Sequence, residues 1–318
     1  MSNCTIIMEF FLMGFSSTRE LQVLHALLFL LIYIAALMGN LLTIAAIVTD
    51  PHLHSPMYFF LSNLSLIDLG CISVTLPKFI VNSLTGHQSI SLHGCAAQIF
   101  FFIFFAATEF ALLVAMSYDR FVAICHPLHY GVTMTLLRSL WVASGSWVSG
   151  LLYSAVHTGN MFRLPFSGSN LIHQFFCDIP HVLKVSSSDT EYILLAMSST
   201  LVLFCFGFLI ISYTYIFSTV FRMPSVEGRY KALSTCLPQL IILFLFLLAG
   251  MVTVLGPISD TSPVQNLLIS MTYTILPPFM NPIIYSLRNM KIMVALGRIM
   301  KMTFIPRKQM SIFEKMKK

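Results

Sequence analysis

The sequence predicts an all-α membrane protein: a seven-transmembrane helix bundle with an extracellular N-terminus and a short amphipathic C-terminal helix on the inner leaflet. Three observations predict this fold class. Of the 318 residues, 57% are hydrophobic and only 9% are charged, which is too apolar for a soluble domain of this length. Seven stretches are long enough to cross a bilayer. The basic residues are distributed unevenly between these stretches.

Each predicted span contains about 20 or more mostly apolar residues, as a membrane-crossing helix requires. The second and seventh spans are the least uniform, because they contain Asp68 and Asn281. Three prolines, at positions 277, 278 and 282, also interrupt the seventh span, and a proline removes a backbone donor and kinks a helix. The spans are residues 24–48, 57–82, 96–120, 140–160, 192–221, 234–257 and 267–287.

The distribution of Lys and Arg predicts the orientation of the bundle. With residues 1–23 outside as an N-terminal tail, 14 of the 18 basic residues fall on inner segments. Nine of them lie in residues 288–318, which form a basic cytoplasmic tail beside the anionic inner leaflet. Residues 24–287 form the transmembrane domain between the two tails. We expect no nucleic-acid partner, because no soluble basic domain accompanies the tail.

The two tails contain one predicted feature each. In the outer tail, Asn3-Cys4-Thr5 is an N-glycosylation sequon, so we expect a glycan at Asn3, with a chance match as the alternative. In the inner tail, apolar and basic residues alternate at helical spacing, which indicates an amphipathic helix against membrane lipids. The apolar positions are 292, 296, 299 and 300, and the basic positions are 291, 298 and 301.

Four polar residues lie at comparable depth inside the predicted spans. They are Asn40, Asp68, Glu109 and Asn281. Ionisable groups in a bilayer cost several kcal/mol unless they are paired or hydrated, so each is a functional candidate. The four residues are predicted to form one cluster that holds a cation or shares a proton. The alternative is that each separately hydrogen-bonds neighbouring helices.

Six sequence motifs occur in one order along the chain, and together they resemble a known family. The chain resembles a rhodopsin-like G protein-coupled receptor, and within that class a vertebrate odorant receptor. The resemblance covers nearly the whole length. The motifs are Gly39-Asn40, LHSPMYFFLSNLSLIDLG (53–70), MSYDRFVAICHPLHY (116–130), Ser212-Tyr213, KALSTC (231–236) and NPIIYSLRN (281–289).

The resemblance implies a plasma-membrane receptor rather than an enzyme. It would bind a small, lipophilic, uncharged odorant and activate a stimulatory G protein that raises cyclic AMP. The four buried polar residues would form the family's sodium or proton cluster, and no other cofactor or metal is expected. Asp119 and Arg120 would form an ionic lock, and activation would free Arg120 towards Tyr213 and Tyr285. Lys231 would flank the G-protein site.

Several residues depart from the family's pattern. Phe121 stands where the family usually has a tyrosine, Gln239 where a histidine is common, and Leu247 where a tyrosine often lies. These departures affect the expected basal activity and activation efficiency rather than the fold.

Ligands of this class bind between the outer halves of the third, fifth, sixth and seventh helices. On the third span, positions 102 and 106, and positions 103 and 107, are i,i+4 pairs on one face. For each residue, ordinary helix packing is the alternative to ligand contact. The predicted ligand-binding residues are Phe102, Ile103, Ala106, Ala107, Met197, Ser198, Leu201, Met251, Val254 and Thr274.

The longest polar stretch of the chain, residues 164–192, forms the outer loop before the fifth span. We expect its Cys177 to pair with Cys95, because both lie on the oxidising outer side. Cys4 on the N-terminal tail is the competing partner. Ser167 and Ser187 stand where relatives usually have a second pair of cysteines. The loop is therefore predicted to be a lid with one disulfide and greater mobility than a relative's.

Two other functions are possible interpretations of the same residues. A secondary transporter would explain the acids and prolines inside the bilayer, but transporters usually contain internal repeats and this chain shows none. A membrane enzyme is disfavoured, because the sequence contains no HExxH, GxSxG or CxxC motif. Ligand-dependent cyclic AMP would distinguish the receptor from the transporter.

Overall fold

A computed structural model describes residues 9–14, 16, 18–163, 170–172, 174–179, 182, 189–255, 270–272 and 274–304. Within the helices, the side chains of residues 189–199, 201, 202, 231, 235, 238, 239, 245–255, 286–288 and 300–304 lie outside this description. The helices are α1 (Arg19–Thr49), α2 (Pro56–Thr85), α3 (Leu92–Cys125), α4 (Pro127–Thr133), α5 (Leu136–Met161), α6 (Asp189–Arg222), α7 (Val226–Leu255), α8 (Leu276–Arg288) and α9 (Met290–Phe304).

The seven predicted spans are found as α1, α2, α3, α5, α6, α7 and α8, and α9 is the predicted amphipathic helix. Among the described residues, four segments are individually apolar enough to cross a membrane: Arg19–Thr49, Pro56–Thr85, Leu92–Cys125 and Leu203–Arg222. Helix α5 is less apolar because its buried face carries Ser139, Ser146 and Ser154. The short helix α4 was not predicted as a separate element.

Local sequence signals explain several helix ends. Pro56 begins α2 at a position where the absent N–H of proline is not needed. The same helix ends at Gly86, whose φ of 77° is the left-handed conformation that favours glycine. Ser91 and Thr135 cap α3 and α5 by accepting a hydrogen bond from Gly94 N and Arg138 N, respectively.

A small sheet at the outer end joins three distant parts of the chain. Its strands are β1 (Glu9–Leu12), β2 (Ser89–Ser91) and β3 (Leu171–Ile172), in the order β2-β1-β3. Strand β1 pairs antiparallel with β2 and parallel with β3. The side chains of Phe10 and Leu12 point into the protein and are at most 3% exposed. The N-terminal tail was not predicted to contain this strand, because its partners are distant in sequence.

The helix bundle has a mostly apolar interior and an apolar outer surface. Near the inner end, Phe60, Leu61 and Leu112 are at most 2% exposed and belong to one buried cluster. On the outside, large apolar side chains such as Trp141 and Phe204 are more than 70% exposed. Apolar side chains exposed in this number are those expected to contact lipid.

Candidate functional site

Two carboxyl groups and one amide meet in the interior of the bundle, where α2, α3 and α8 come together. Asn281 donates from its side-chain amide to both oxygens of Asp68, at 3.1 and 2.9 Å. Glu109 lies beside these two residues and interacts electrostatically with Asp68. All three are at most 3% exposed. The structure therefore brings together three of the four polar residues, and their role stays a prediction.

The fourth polar residue, Asn40, connects α1 to a break in the seventh span. Its amide donates to the carbonyls of Ala36 at 3.0 Å and Pro278 at 2.9 Å. In a regular helix the Pro278 carbonyl would accept from residue 282, but Pro282 has no N–H. Asn40 supplies the donor instead. Gly39 permits the close approach, because a Cβ there would lie 3.2 Å from Cβ of Pro282.

Three buried side-chain oxygens near this cluster have no hydrogen-bond donor among the described residues. They are Asn40 Oδ1, Glu109 Oε1 and Asn281 Oδ1. A buried acceptor without a donor is costly, and carboxylate and amide oxygens are the ligands that hard cations prefer. The residues present therefore fit a small hard cation such as sodium.

At the inner end of α3, an ion pair is supported by a third side chain. Arg120 donates from Nε to Asp119 Oδ2 at 3.0 Å and makes a second hydrogen bond to the same oxygen. The hydroxyl of Tyr130 in α4 donates to Asp119 Oδ1 at 2.9 Å. Burial, together with the neighbouring Asp119, raises the pKa of Tyr130 above its ordinary value. Tyr130 therefore remains a donor at neutral pH.

Two of the predicted activation residues, Tyr213 and Tyr285, take part in a buried apolar cluster formed mainly by α3, α6 and α7. Tyr213 is 5% exposed and belongs to that cluster, and Tyr285 packs against it. The Tyr285 hydroxyl is buried and has no hydrogen-bond partner among the described residues. Phe121, which replaces the family's usual tyrosine, lies with its ring 6.2 Å from that of Tyr215. The side chain of Lys231 is outside the described part.

The lid, which we define as described residues 170–172 and 174–179, is attached to the helices at several points. A disulfide joins Cys95 to Cys177 with a Cα–Cα distance of 5.5 Å, so the predicted pairing is present and Cys4 is not the partner of Cys177. Gln98 Oε1 accepts from Cys177 N at 2.8 Å. Met13, which directly follows strand β1, donates from its backbone N to Gln174 O at 2.9 Å.

The predicted ligand contacts on α3 lie next to the lid. The ring of Phe102 is 5.3 Å from that of Phe176. Ile103 packs against the buried cluster that contains the disulfide. Ala106 and Ala107 are half-buried one turn further along the helix. The ligand-binding role of these four α3 residues remains a prediction.

On the seventh span, Thr274 is 1% exposed and its hydroxyl donates to Ser270 O at 2.6 Å. Its donor is therefore already used, and only its lone pairs are left for the predicted ligand contact. Ser270 in turn donates to Gln174 Oε1 of the lid. Several predicted positions lie outside the described residues or side chains. They are Asn3, Ser167, Ser187, Met197, Ser198, Leu201, Gln239, Leu247, Met251 and Val254.

Three residues of this site were missed in the sequence. Tyr130 ends the motif of residues 116–130, but nothing in its spacing indicates a bond to a residue eleven positions earlier. Gln174 has no signal, because its partner lies 96 positions away. Gln98 does have a sequence signal, because it is a single amide in the apolar stretch that begins α3.

The arrangement is that of a known class of membrane protein. The crystal structure of squid rhodopsin matches with a TM-score of 0.70, and the match covers 92% of this chain and 89% of that one. At 16% identity this likeness shows the fold alone. The fold is thus that of the rhodopsin-like seven-helix receptors, and the predicted fold class is confirmed.

The particular family follows from comparisons of sequence. A family model described as olfactory receptor matches residues 29–303. Human olfactory receptor 14I1 is 57% identical over 302 residues, which cover 94% of this chain and 97% of that relative. Human olfactory receptor 14A16 is 49% identical over 304 residues, covering 95% and 98%. The chain belongs to the olfactory receptor family.

Family membership confirms several predictions. The protein is a multi-pass receptor of the plasma membrane and not an enzyme. Members of the family bind odorants and couple to G proteins, so these are the classes of partner that membership implies for this chain.

Proposed function

We propose that this receptor binds small, lipophilic, uncharged odorants in the outer half of the helix bundle and activates a stimulatory G protein that raises cyclic AMP. One observation carries the ligand class: residues 94–108 of α3, which run beneath the lid, contain no Asp, Glu, Lys or Arg. An apolar site binds a ligand mainly by desolvation, and one or two hydrogen bonds orient it. An unpaired ligand charge buried there costs several kcal/mol.

The test is a cyclic AMP dose–response panel in cells that express the receptor. Each uncharged alcohol or aldehyde is compared with an amine and a carboxylate of the same carbon skeleton. The uncharged member of each set is expected to be the strongest agonist, and Arg120→Ala is expected to abolish the response. An amine or acid that activates most strongly would contradict the ligand class. Uptake of the ligand without G-protein activity would favour a transporter.

For activation, we propose a two-state element at the inner ends of α3, α6 and α8. In the inactive state Arg120 is held by Asp119, and in the active state it turns towards Tyr213 and Tyr285. The buried Tyr285 hydroxyl supports this proposal, because it has no hydrogen-bond partner among the described residues and would gain one on activation. Lys231 would then contact the G protein at the inner end of α7.

We propose further that the polar cluster binds a sodium ion. Asp68, Glu109, Asn281 and Asn40 would hold it, and the ion would neutralise carboxylates that otherwise repel each other. A bound ion present at ten times its dissociation constant stabilises the folded state by about 1.4 kcal/mol. The melting temperature of the purified receptor should therefore be higher in sodium chloride than in choline chloride.

This sodium dependence should be lost in Asp68→Asn and in Glu109→Gln. It should persist in Glu20→Gln, which changes an exposed carboxylate at the start of α1. Equal melting temperatures of the unmodified receptor in the two salts would contradict the proposal.

We also propose an N-linked glycan at Asn3, which a shift in electrophoretic mobility with glycosidase would detect. Asn3→Gln should remove that shift. A mobility shift that persists in this variant would place the glycan elsewhere.

A further inference from the structure

Two adjacent phenylalanines of the lid are buried as deeply as helix residues. Phe175 and Phe176 are 1% and 0% exposed, although they lie outside the helices and strands. Connecting segments normally run over the surface of a protein. Two buried aromatic side chains in such a segment must therefore fill space that the helices leave between them.

The neighbours of these rings show which space they fill. The ring of Phe175 lies 5.4 Å from that of Phe79 in α2, and the ring of Phe176 lies 5.3 Å from that of Phe102 in α3. The two lid rings are 5.0 Å apart. The other buried members of this cluster come from α1, from α2 and from the residue that directly precedes α8. They are Ala26, Phe29, Ala36, Ile72, Leu76, Ile80 and Ile275.

The contacts are well inside the bundle. Phe79 precedes the end of α2 at Thr85 by six residues, which is about 9 Å at a rise of about 1.5 Å per residue. Phe102 follows the start of α3 at Leu92 by ten residues, or about 15 Å. The two rings therefore reach roughly two to three helical turns below the outer helix ends.

Both ends of the phenylalanine pair are fastened. On one side, Cys177 is covalently joined to Cys95 and its backbone N–H donates to Gln98. On the other side, Gln174 accepts from Ser270, and its carbonyl accepts from Met13 of the N-terminal segment. These attachments hold the two rings in place, so they cannot leave the bundle without breaking several bonds.

We infer that Phe175 and Phe176 form an internal plug, which fills the space bounded by α1, α2, α3 and α8 and excludes the ligand from it. The two residues are thus determinants of ligand size. This inference concerns the ligand site, and in that respect it rests on the proposed function. Whether the two rings fill this space can be tested without any odorant.

The test uses Leu76→Cys as a reporter, because Leu76 is 0% exposed and lies in the wall of the filled space. Intact cells are treated with a positively charged, membrane-impermeant methanethiosulfonate reagent. The reporter should not react while both phenylalanines are present. Adding Phe175→Ala or Phe176→Ala should increase its modification rate about tenfold or more, because thiol reactivity follows access.

Two controls separate a plug from general loosening. Each alanine variant without the reporter gives the background from native cysteines. Phe29→Ala removes an equally buried ring from the same cluster, but from α1 rather than the lid, and should leave the reporter unreactive. Phe176→Leu keeps most of the volume and should also protect it. Variants are compared at equal surface expression.

Modification of the reporter with both phenylalanines present would overturn the inference. So would a reporter that stays protected in both alanine variants, or one exposed equally by Phe29→Ala. If the alanine variants do not fold, Leu76→Cys with both phenylalanines present still tests the plug. Its thiol would react with the reagent if the two rings left the space unfilled.

The ligand arm uses straight-chain alcohols and aldehydes of increasing length. The preferred length should increase by about one to three carbons when a ring is removed, since the vacated space can bury additional CH₂ groups of the ligand. An unchanged preference would overturn the role in ligand size. A receptor that responds to no odorant would contradict the proposed function, while the thiol experiment would still test the plug.

Discussion

At the scale of single residues, the inner end of α3 shows how one hydroxyl can support a switch. Asp119 is fully buried, and a buried carboxylate requires both a counter-ion and further hydrogen bonds. Arg120 supplies the charge, and Tyr130 supplies a hydrogen bond to the other carboxylate oxygen at 2.9 Å. Tyr130 therefore holds the Asp119 carboxylate in the position where it accepts from Arg120.

Tyr130→Phe is expected to raise ligand-free signalling. A hydrogen bond to a charged group contributes about 1.5–3 kcal/mol. Loss of about 1 kcal/mol from the inactive state alone shifts the equilibrium about fivefold. The measurement is basal cyclic AMP normalised to surface expression. Tyr118→Phe is the matched control, since Tyr118 is 42% exposed and should not change it. A basal signal equal to that of the unmodified receptor would show that Tyr130 does not stabilise the inactive state.

At the scale of helices, the contact between α3 and α5 depends on a small residue. A Cβ on Gly150 would collide with the hydroxyl of Thr108 and lie 3.0 Å from the Phe104 carbonyl. Ser154, one turn along α5, donates to the Phe100 carbonyl. The two helices therefore approach closely enough for a side chain on one to bond the backbone of the other, as small residues permit in membranes.

Gly150→Ala is therefore expected to destabilise the receptor by about 1–3 kcal/mol, the usual cost of overpacking a core. The melting temperature of the purified receptor measures this effect. Gly145→Ala is the control, because a Cβ at Gly145 would meet no atom of the described residues within 4 Å. That variant should be neutral or slightly stabilised through helix propensity. Similar melting temperatures for the two variants would contradict the close helix contact.

At the scale of the whole molecule, the lid and the N-terminal strand form one structure over the bundle. Strand β1 lies between the segment that precedes α3 and the lid, and its buried Phe10 and Leu12 belong to the cluster that contains Cys95 and Cys177. The disulfide closes a loop of sequence separation 82. In the chain-entropy model such a loop contributes up to about 4.5 kcal/mol.

Cys95→Ser and Cys177→Ser should each reduce surface expression and thermal stability, and by similar amounts. The double variant should be no worse than either single variant, because one bond is lost in all three. Cys205→Ser, which changes a free cysteine, should have little effect. A much milder loss in Cys95→Ser than in Cys177→Ser would indicate another partner for Cys177 in solution.

Much of this architecture is predictable because it follows from local composition. A span is recognised by its own apolar residues, and orientation follows from a count of basic residues. The cluster of Asp68, Glu109 and Asn281 was also predictable, because isolated polar groups in a bilayer must find partners. Strand β1 could not be predicted in the same way, since four residues gain stability only from partners about 80 and 160 positions away.

The sequence by itself determined the seven-helix bundle, its orientation and the family, because these depend on composition and on motifs read along the chain. Only the tertiary structure decided which groups share a space. It showed that Asn40 satisfies a carbonyl left open by Pro282, that Tyr130 donates to Asp119, and that Phe175 and Phe176 are buried in a cluster with helix residues. The physical reason is that these contacts join segments far apart in sequence, and neither periodicity nor composition specifies such contacts.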